Sequence, residues 1–333
     1  MALGGATLVS QVTARAVTAS QILGQGDFRY QVVPGWGVLG DKTPVKNCHG
    51  IVCDAAGNLI LLTDETANNF IVYDPAGKLL HKWGTTYPGA HGLSLVTEGG
   101  KEVLYFTDRE LHKVFKATPS GEILGEWGYP VETGKYSKEG QYVPSWTLHH
   151  PDGSFYVLDG YGRDYITRYD PEGKFSEIFG GKEGGIPHWG PHGGILDSST
   201  AGDHSLLIAM SDQQNLYRLD LHGKHLATIP LPGGNPRQMR KSGGHWFIPH
   251  LADNWPANRD SRGFVSVLDT NFKVASNIAG SPPEYDDAGT LLKMKSTGDT
   301  FLHPHDLAIG KDGSIYVAQF LSGNTYPIKL ERV

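Results

Sequence analysis

Pro304-His305-Asp306-Leu307-Ala308-Ile309, followed by Lys311-Asp312-Gly313-Ser314-Ile315-Tyr316-Val317, is the stretch whose reading decides the fold. A histidine enters a short apolar run, an Asp-Gly pair reverses the chain, and a run of β-branched and aromatic residues returns. The same phrase stands upstream with its histidine in register. Cys48-His49-Gly50-Ile51-Val52 leads to Asn58-Leu59-Ile60-Leu61-Leu62, and Ala90-His91-Gly92-Leu93 leads to Val103-Leu104-Tyr105-Phe106. Pro191-His192-Gly193-Gly194-Ile195-Leu196 leads to Leu206-Leu207-Ile208-Ala209.

Self-similarity at a period of about 40–50 residues marks propeller blades. Six units can be drawn, over residues 47–84, 89–128, 143–180, 188–230, 235–280 and 302–333. The fifth is irregular and carries an insertion at 251–262, and the sixth is one strand short. The unused run Phe28-Arg29-Tyr30-Gln31-Val32-Val33 supplies the missing strand if it joins the last blade, which closes the ring and leaves neither chain end as an exposed edge. The expectation is an all-β, six-bladed propeller over residues 27–333, preceded by a partly disordered segment over 1–26.

Composition agrees with many short strands. The 44 glycines and 20 prolines supply the turns such a fold needs. A formal charge of −6 without a Lys/Arg run argues against nucleic acid or an anionic membrane as partner, which leaves a small-molecule substrate as the expected one. No apolar run approaches the roughly 18 residues of a membrane span. Cys48 and Cys53, five apart, do not make a disulfide framework. Residues 1–26 lack the ordered basic and apolar regions of an export signal, which favours a cytoplasmic setting, with a removed signal as the alternative. Oligomeric state is not legible.

In a propeller the innermost strands surround a channel, so equivalent residues form a ring. In blade order that ring is His49, His91, Ser145, His192, Arg237 and His305. Blades two, four and six alternate around it and bring His91, His192 and His305 toward one point. Three imidazoles with an open fourth position are a common catalytic zinc set. The alternative is structural, with each histidine bonding its neighbouring blade. Tyr161 falls where a second strand ends above the ring, and a phenol beside a cation gives up its proton more readily and can serve as a base.

The run from Ala90-His91-Gly92-Leu93 through Tyr105-Phe106-Thr107-Asp108-Arg109, with Asp152-Gly153-Ser154-Phe155-Tyr156-Val157-Leu158-Asp159-Gly160-Tyr161, resembles blades of peptidyl-α-hydroxyglycine α-amidating lyase, one of the NHL-repeat propellers. Pro191-His192, Pro249-His250 and Pro304-His305-Asp306-Leu307 match later blades, and the resemblance spans about residues 47–333. It implies zinc on His91, His192 and His305, a catalytic Tyr161, and a structural calcium held by the Leu93 carbonyl and the Asp306 carboxylate. That family also holds its substrate carboxylate with arginines. One of those positions is Asp212 here, and Arg109 and Arg237 reach the channel from other blades without matching by position.

The expected activity is therefore a zinc-dependent lyase acting on a hydroxylated small molecule, breaking a C–N or C–O bond with Tyr161 as base. His49 and His250 are candidates to donate a proton or orient the substrate, and Trp146, Trp189 and Trp255 to wall the pocket. Two alternatives stand beside it: a metal-dependent hydrolase or hydratase of a lactone, amide or sugar derivative, and a non-catalytic NHL binding platform.

Overall fold

The computed structural model describes residues 21–333, apart from 189, 201, 202, 256 and 259. Residues 1–20, to which most of the expected disordered segment belongs, lie outside the described residues. Six antiparallel sheets form six blades, and their innermost strands are Cys48–Cys53, Ala90–Glu98, Trp146–His149, Pro191–Thr200, Arg240–Ser242 and Pro304–Ile309. The helical turns among the described residues are single 3-10 turns, such as Val131–Thr133 and Glu139–Gln141. The fold is a six-bladed β-propeller.

Ring closure takes the expected route. In the sixth blade Pro304–Ile309, Ile315–Gln319 and Ile328–Arg332 come from the chain's end, and Tyr30–Val33 pairs with Ile328–Arg332 as the fourth strand. Ile22–Leu23 adds a fifth, outermost strand. Joining the two ends in one sheet covers the edge that Ile328–Arg332 otherwise presents.

The core is divided into wedges between blades. Ile51, Leu61 and Ile71 of the first blade pack on Ala308 and Tyr316 of the sixth, and Phe247, Val265 and Ile278 of the fifth pack on Leu307, Ile315 and Val317. A repeated latch fixes the rim. Trp83 ends an outer strand and donates its indole N–H to the Pro119 carbonyl of the next blade at 3.0 Å, and Trp127 does the same to Gly173 at 2.8 Å. A Cβ at Gly121 or Gly173 would stand 2.8 or 2.9 Å from these indole rings, so the turn beneath each tryptophan needs glycine for space as well as for its positive φ.

Candidate active site: a histidine-lined channel

Four of the ring histidines sit at the same local defect. In the first blade Cys48 faces Thr63 and Gly50 faces Leu62, so His49 is the extra, unpaired residue of a β-bulge. Register slips likewise at His91, between Ala90 and Leu93, at His192, between Pro191 and Gly193, and at His305, between Pro304 and Asp306. A bulge re-aims its side chain out of the regular alternation, here toward the axis.

The glycine that follows the histidine has its own task. A Cβ at Gly92 would lie 2.4 Å from the Ser145 carbonyl oxygen, and one at Gly193 would lie 2.3 Å from that of Arg237. Those same carbonyls receive the imidazoles. His91 Nδ1 is 2.9 Å from the Ser145 oxygen, His192 Nδ1 is 3.2 Å from that of Arg237, and His305 Nδ1 is 2.7 Å from that of His49. A carbonyl oxygen can only accept, so in each ring Nδ1 carries the proton and Nε2 keeps its lone pair. Alternate blades thus present three imidazoles in one tautomer, each oriented by the blade that follows it. This is the partner set that metal-binding histidines require, and it comes from the backbone, where side-chain patterns give no sign of it.

The rings form a nearly equilateral triangle, with centroids 5.0 Å apart for His91 and His192, 4.7 Å for His91 and His305, and 4.8 Å for His192 and His305. His49 adds a fourth ring, 4.7 Å from His91 and 4.9 Å from His305. The ligand-capable atoms of His49, His91 and His305 lie within 4.8 Å of one another, so this buried cluster could hold a metal ion. His49 differs from the other three. Neither of its nitrogens has a hydrogen-bond partner, and its Nε2 stands 3.7 Å from Asp64 Oδ2, too far for a bond.

Burial pushes His91, His192 and His305 well below the ordinary imidazole range, helped by the neighbouring rings and by Arg109 or Arg237, and it lowers His49 as well. The cluster therefore holds neutral imidazoles at neutral pH, the form a metal requires.

Tyr161 completes the arrangement. Its hydroxyl lies 3.0 Å from His91 Nε2 and 2.8 Å from His192 Nε2. With Nδ1 protonated in each ring, both of these nitrogens are acceptors, and a phenol has one proton for the two of them. A cation among these atoms would satisfy every lone pair, so the donor set fits a metal. Imidazoles without a carboxylate suit zinc over calcium or magnesium.

Above the rings opens a cavity of about 360 Å³, walled by His49, His192, His305 and Tyr161 together with Arg109, Arg237 and Asp212. Arg109 lies over the Tyr161 ring at 5.1 Å. Burial lowers Arg237, and Tyr161 and Asp212 oppose that effect. Leu251 and Trp255 from the insertion, with Phe320, add an apolar wall.

Other expected residues fall elsewhere. His250 is buried within blade five, stacked on Phe264 with Nε2 bonded to Ser266 Oγ at 2.9 Å, and it does not wall the cavity. Trp146 is fully buried and also absent from the wall, and Trp189 lies outside the described residues. The Leu93 carbonyl and the Asp306 carboxylate, which the resemblance gives to calcium, both bond the guanidinium of Arg240, so a divalent ion does not fit between them. Sequence reasoning missed Arg240. Its only signal is an arginine three residues past the ring position, in an inner strand of a blade that lacks the histidine motif.

The buried histidines set how stability depends on pH. In the unfolded chain they titrate near 6.5, whereas His149 and His250 are held to about 3 by burial and the four channel rings are also lowered. Below about pH 6.5 the unfolded chain binds more protons, so stability falls as the pH drops toward the folded values. Asp159, raised to about 7 by burial, acts oppositely, losing its contribution as the pH rises from its ordinary 3.8 to 7, and burial raises Asp108 and Asp306 too, but these are three carboxyls against six histidines. The urea midpoint of metal-free protein is expected to fall continuously from pH 7 to pH 4, and a flat profile would contradict the assignment of neutral imidazoles.

The fold and site define a six-bladed propeller with a buried, histidine-lined channel. No family model matches the chain. Among solved structures it is similar to virginiamycin B lyase from Staphylococcus aureus, at 15% identity and a TM-score of 0.56, covering 92% of this chain and 100% of that one. It is also similar to a putative oxidoreductase (glucose dehydrogenase) from Thermus thermophilus, at 14% identity and 0.55, covering 90% and 99%. The PQQ domain of a pyranose dehydrogenase from Coprinopsis cinerea matches at 11% identity and 0.51, covering 92% and 97%. At these identities the likeness shows the propeller fold. Enzymes are among the chains that share it.

Proposed function

We propose that this propeller is a zinc-dependent lyase that acts on a hydroxylated small molecule, breaking a C–N or C–O bond at the carbon that carries the hydroxyl. The observation that carries the reading is the Tyr161 hydroxyl, seated between His91 Nε2 and His192 Nε2 on the wall of the cavity. His91, His192 and His305 would hold the ion, because they share the tautomer and orientation that His49 lacks. A zinc ion bound there supplies Lewis acidity toward an oxygen of the substrate.

The protein's own groups account for the remainder. Tyr161, as its phenolate, takes the proton from the substrate hydroxyl. The O–H electrons become the second bond of a new carbonyl, the C–N or C–O bond on the same carbon breaks, and its electron pair leaves with nitrogen or oxygen. That atom takes a proton, for which the phenol just formed is the donor. His49, kept neutral by burial, orients the substrate. Arg109 and Arg237 line the cavity, Arg237 also bonding the Tyr161 side chain, and their guanidinium groups suit an anionic group on the substrate, with Asp212 beside them restricting where that group sits. The amidating-lyase resemblance and the likeness to virginiamycin B lyase support elimination.

Product analysis in ¹⁸O-labelled water separates elimination from hydrolysis. Small N-acyl-α-hydroxyglycines are the first substrates to offer. Elimination gives an amide and a carbonyl compound with no solvent oxygen in the amide. Label entering the acyl product would overturn the lyase reading in favour of hydrolysis.

A further inference from the structure

On the far side of the histidines, Arg240 crosses the channel. Its Nε donates to Asp306 Oδ1 at 3.2 Å and to the Leu307 carbonyl at 3.1 Å. Its second terminal nitrogen donates to Asp306 Oδ2 at 2.6 Å and to the carbonyls of Ile51 and Leu93, each at 3.3 Å. The guanidinium carbon also lies 5.8 Å from the Trp146 ring. One side chain from blade five thus touches blades six, one, two and three.

The oxygens around it form a recognisable set: one carboxylate, fully buried, and three main-chain carbonyls. Oxygen-only shells of this kind suit a hard divalent cation. Asp306 accepts two further bonds, from the Ile51 and Leu307 amides, so both of its oxygens only accept, and burial, which raises its pKa, makes a carboxylate there depend on a positive neighbour. Such a charge in a dry interior needs a cation beside it. The oxygens also belong to the strands that carry the histidines. Asp306 and Leu307 follow His305, Ile51 follows His49 by two residues, and Leu93 follows His91 by two.

We propose that Arg240 is the resident structural cation of the channel, a side-chain replacement for a divalent ion, and that the same oxygen cage takes calcium once the guanidinium is removed. The resemblance brings calcium to this place, and the side chain found there excludes it. The inference stands apart from the reaction assigned to the histidines, and its test uses no substrate.

The test is thermal unfolding of the full chain with EDTA and with calcium chloride, for the wild type and for Arg240→Ala. The wild type is expected to unfold at the same temperature in both. Arg240→Ala is expected to unfold at a lower temperature in EDTA and to recover by roughly 4 °C at calcium a hundredfold above its Kd. The double variant Arg240→Ala with Asp306→Asn should lose that recovery. If Arg240→Ala folds only with calcium, the proposal is supported. If it folds in neither condition, Arg240→Gln is read by the same shift. Calcium stabilisation of the wild type, or a folded Arg240 variant indifferent to calcium, would overturn the proposal.

Discussion

Tyr161→Phe is expected to fold, keep its metal and lose about 10²- to 10⁴-fold in kcat/KM, the range that general acid–base groups supply. The substitution removes one oxygen and leaves the ring. The hydroxyl no longer meets His91 Nε2 and His192 Nε2, while both histidines keep the carbonyl bonds that orient them. Arg109 still has a ring to lie over. Nothing in the change displaces a metal ligand, so zinc measured by mass spectrometry should match the wild type while turnover falls. Activity within tenfold of the wild type would remove Tyr161 from the chemistry and leave the metal to act with water alone.

His91→Ala has the opposite signature, with metal and activity lost together. His91 is fully buried and at the centre of the constellation, with its ring about 5 Å from those of His49, His192 and His305. Removing it leaves two oriented imidazoles and a cavity where the third stood. Zinc content is expected to fall from near one per chain to a small fraction of that, and turnover to the background rate. His49→Ala is the companion variant. Both ring nitrogens of His49 lack hydrogen-bond partners, and if it only orients substrate, its loss should spare the metal and raise KM. A zinc-free His91→Ala protein with full activity would end the metalloenzyme reading.

The fold was legible because the repeat carries its own phase. A histidine at the start of an inner strand marked four blades, and Asp-Gly or Pro-x-Gly turns spaced the rest, so both the six blades and the closing strand at Tyr30–Val33 could be read without coordinates. The glycines after His91 and His192 were visible, but their purpose was not, since it lies in a neighbouring carbonyl that no sequence pattern announces. His250 misled for the same reason that the others informed. It follows a proline like His192 and His305, but it ends a second strand, where its ring turns toward Ser266 inside the blade. His49 shares the bulge of the other channel histidines, yet no Nδ1 bond fixes it.

Arg240 was beyond reach because blade five has no histidine to set its register, and because the oxygens that surround the guanidinium come from three other blades. The family resemblance alone implied a cation at Asp306. Only the fold could show that the chain provides one itself.

Three histidines from alternate blades holding one zinc ion is the claim on which the proposed chemistry rests. Metal content of the purified protein, followed by zinc-edge anomalous diffraction, tests it most directly. The predicted result is near one zinc per chain, with a single peak bonded to Nε2 of His91, His192 and His305. Metal-free protein after purification without chelators, or a peak bonded by His49 in place of His192, would contradict it.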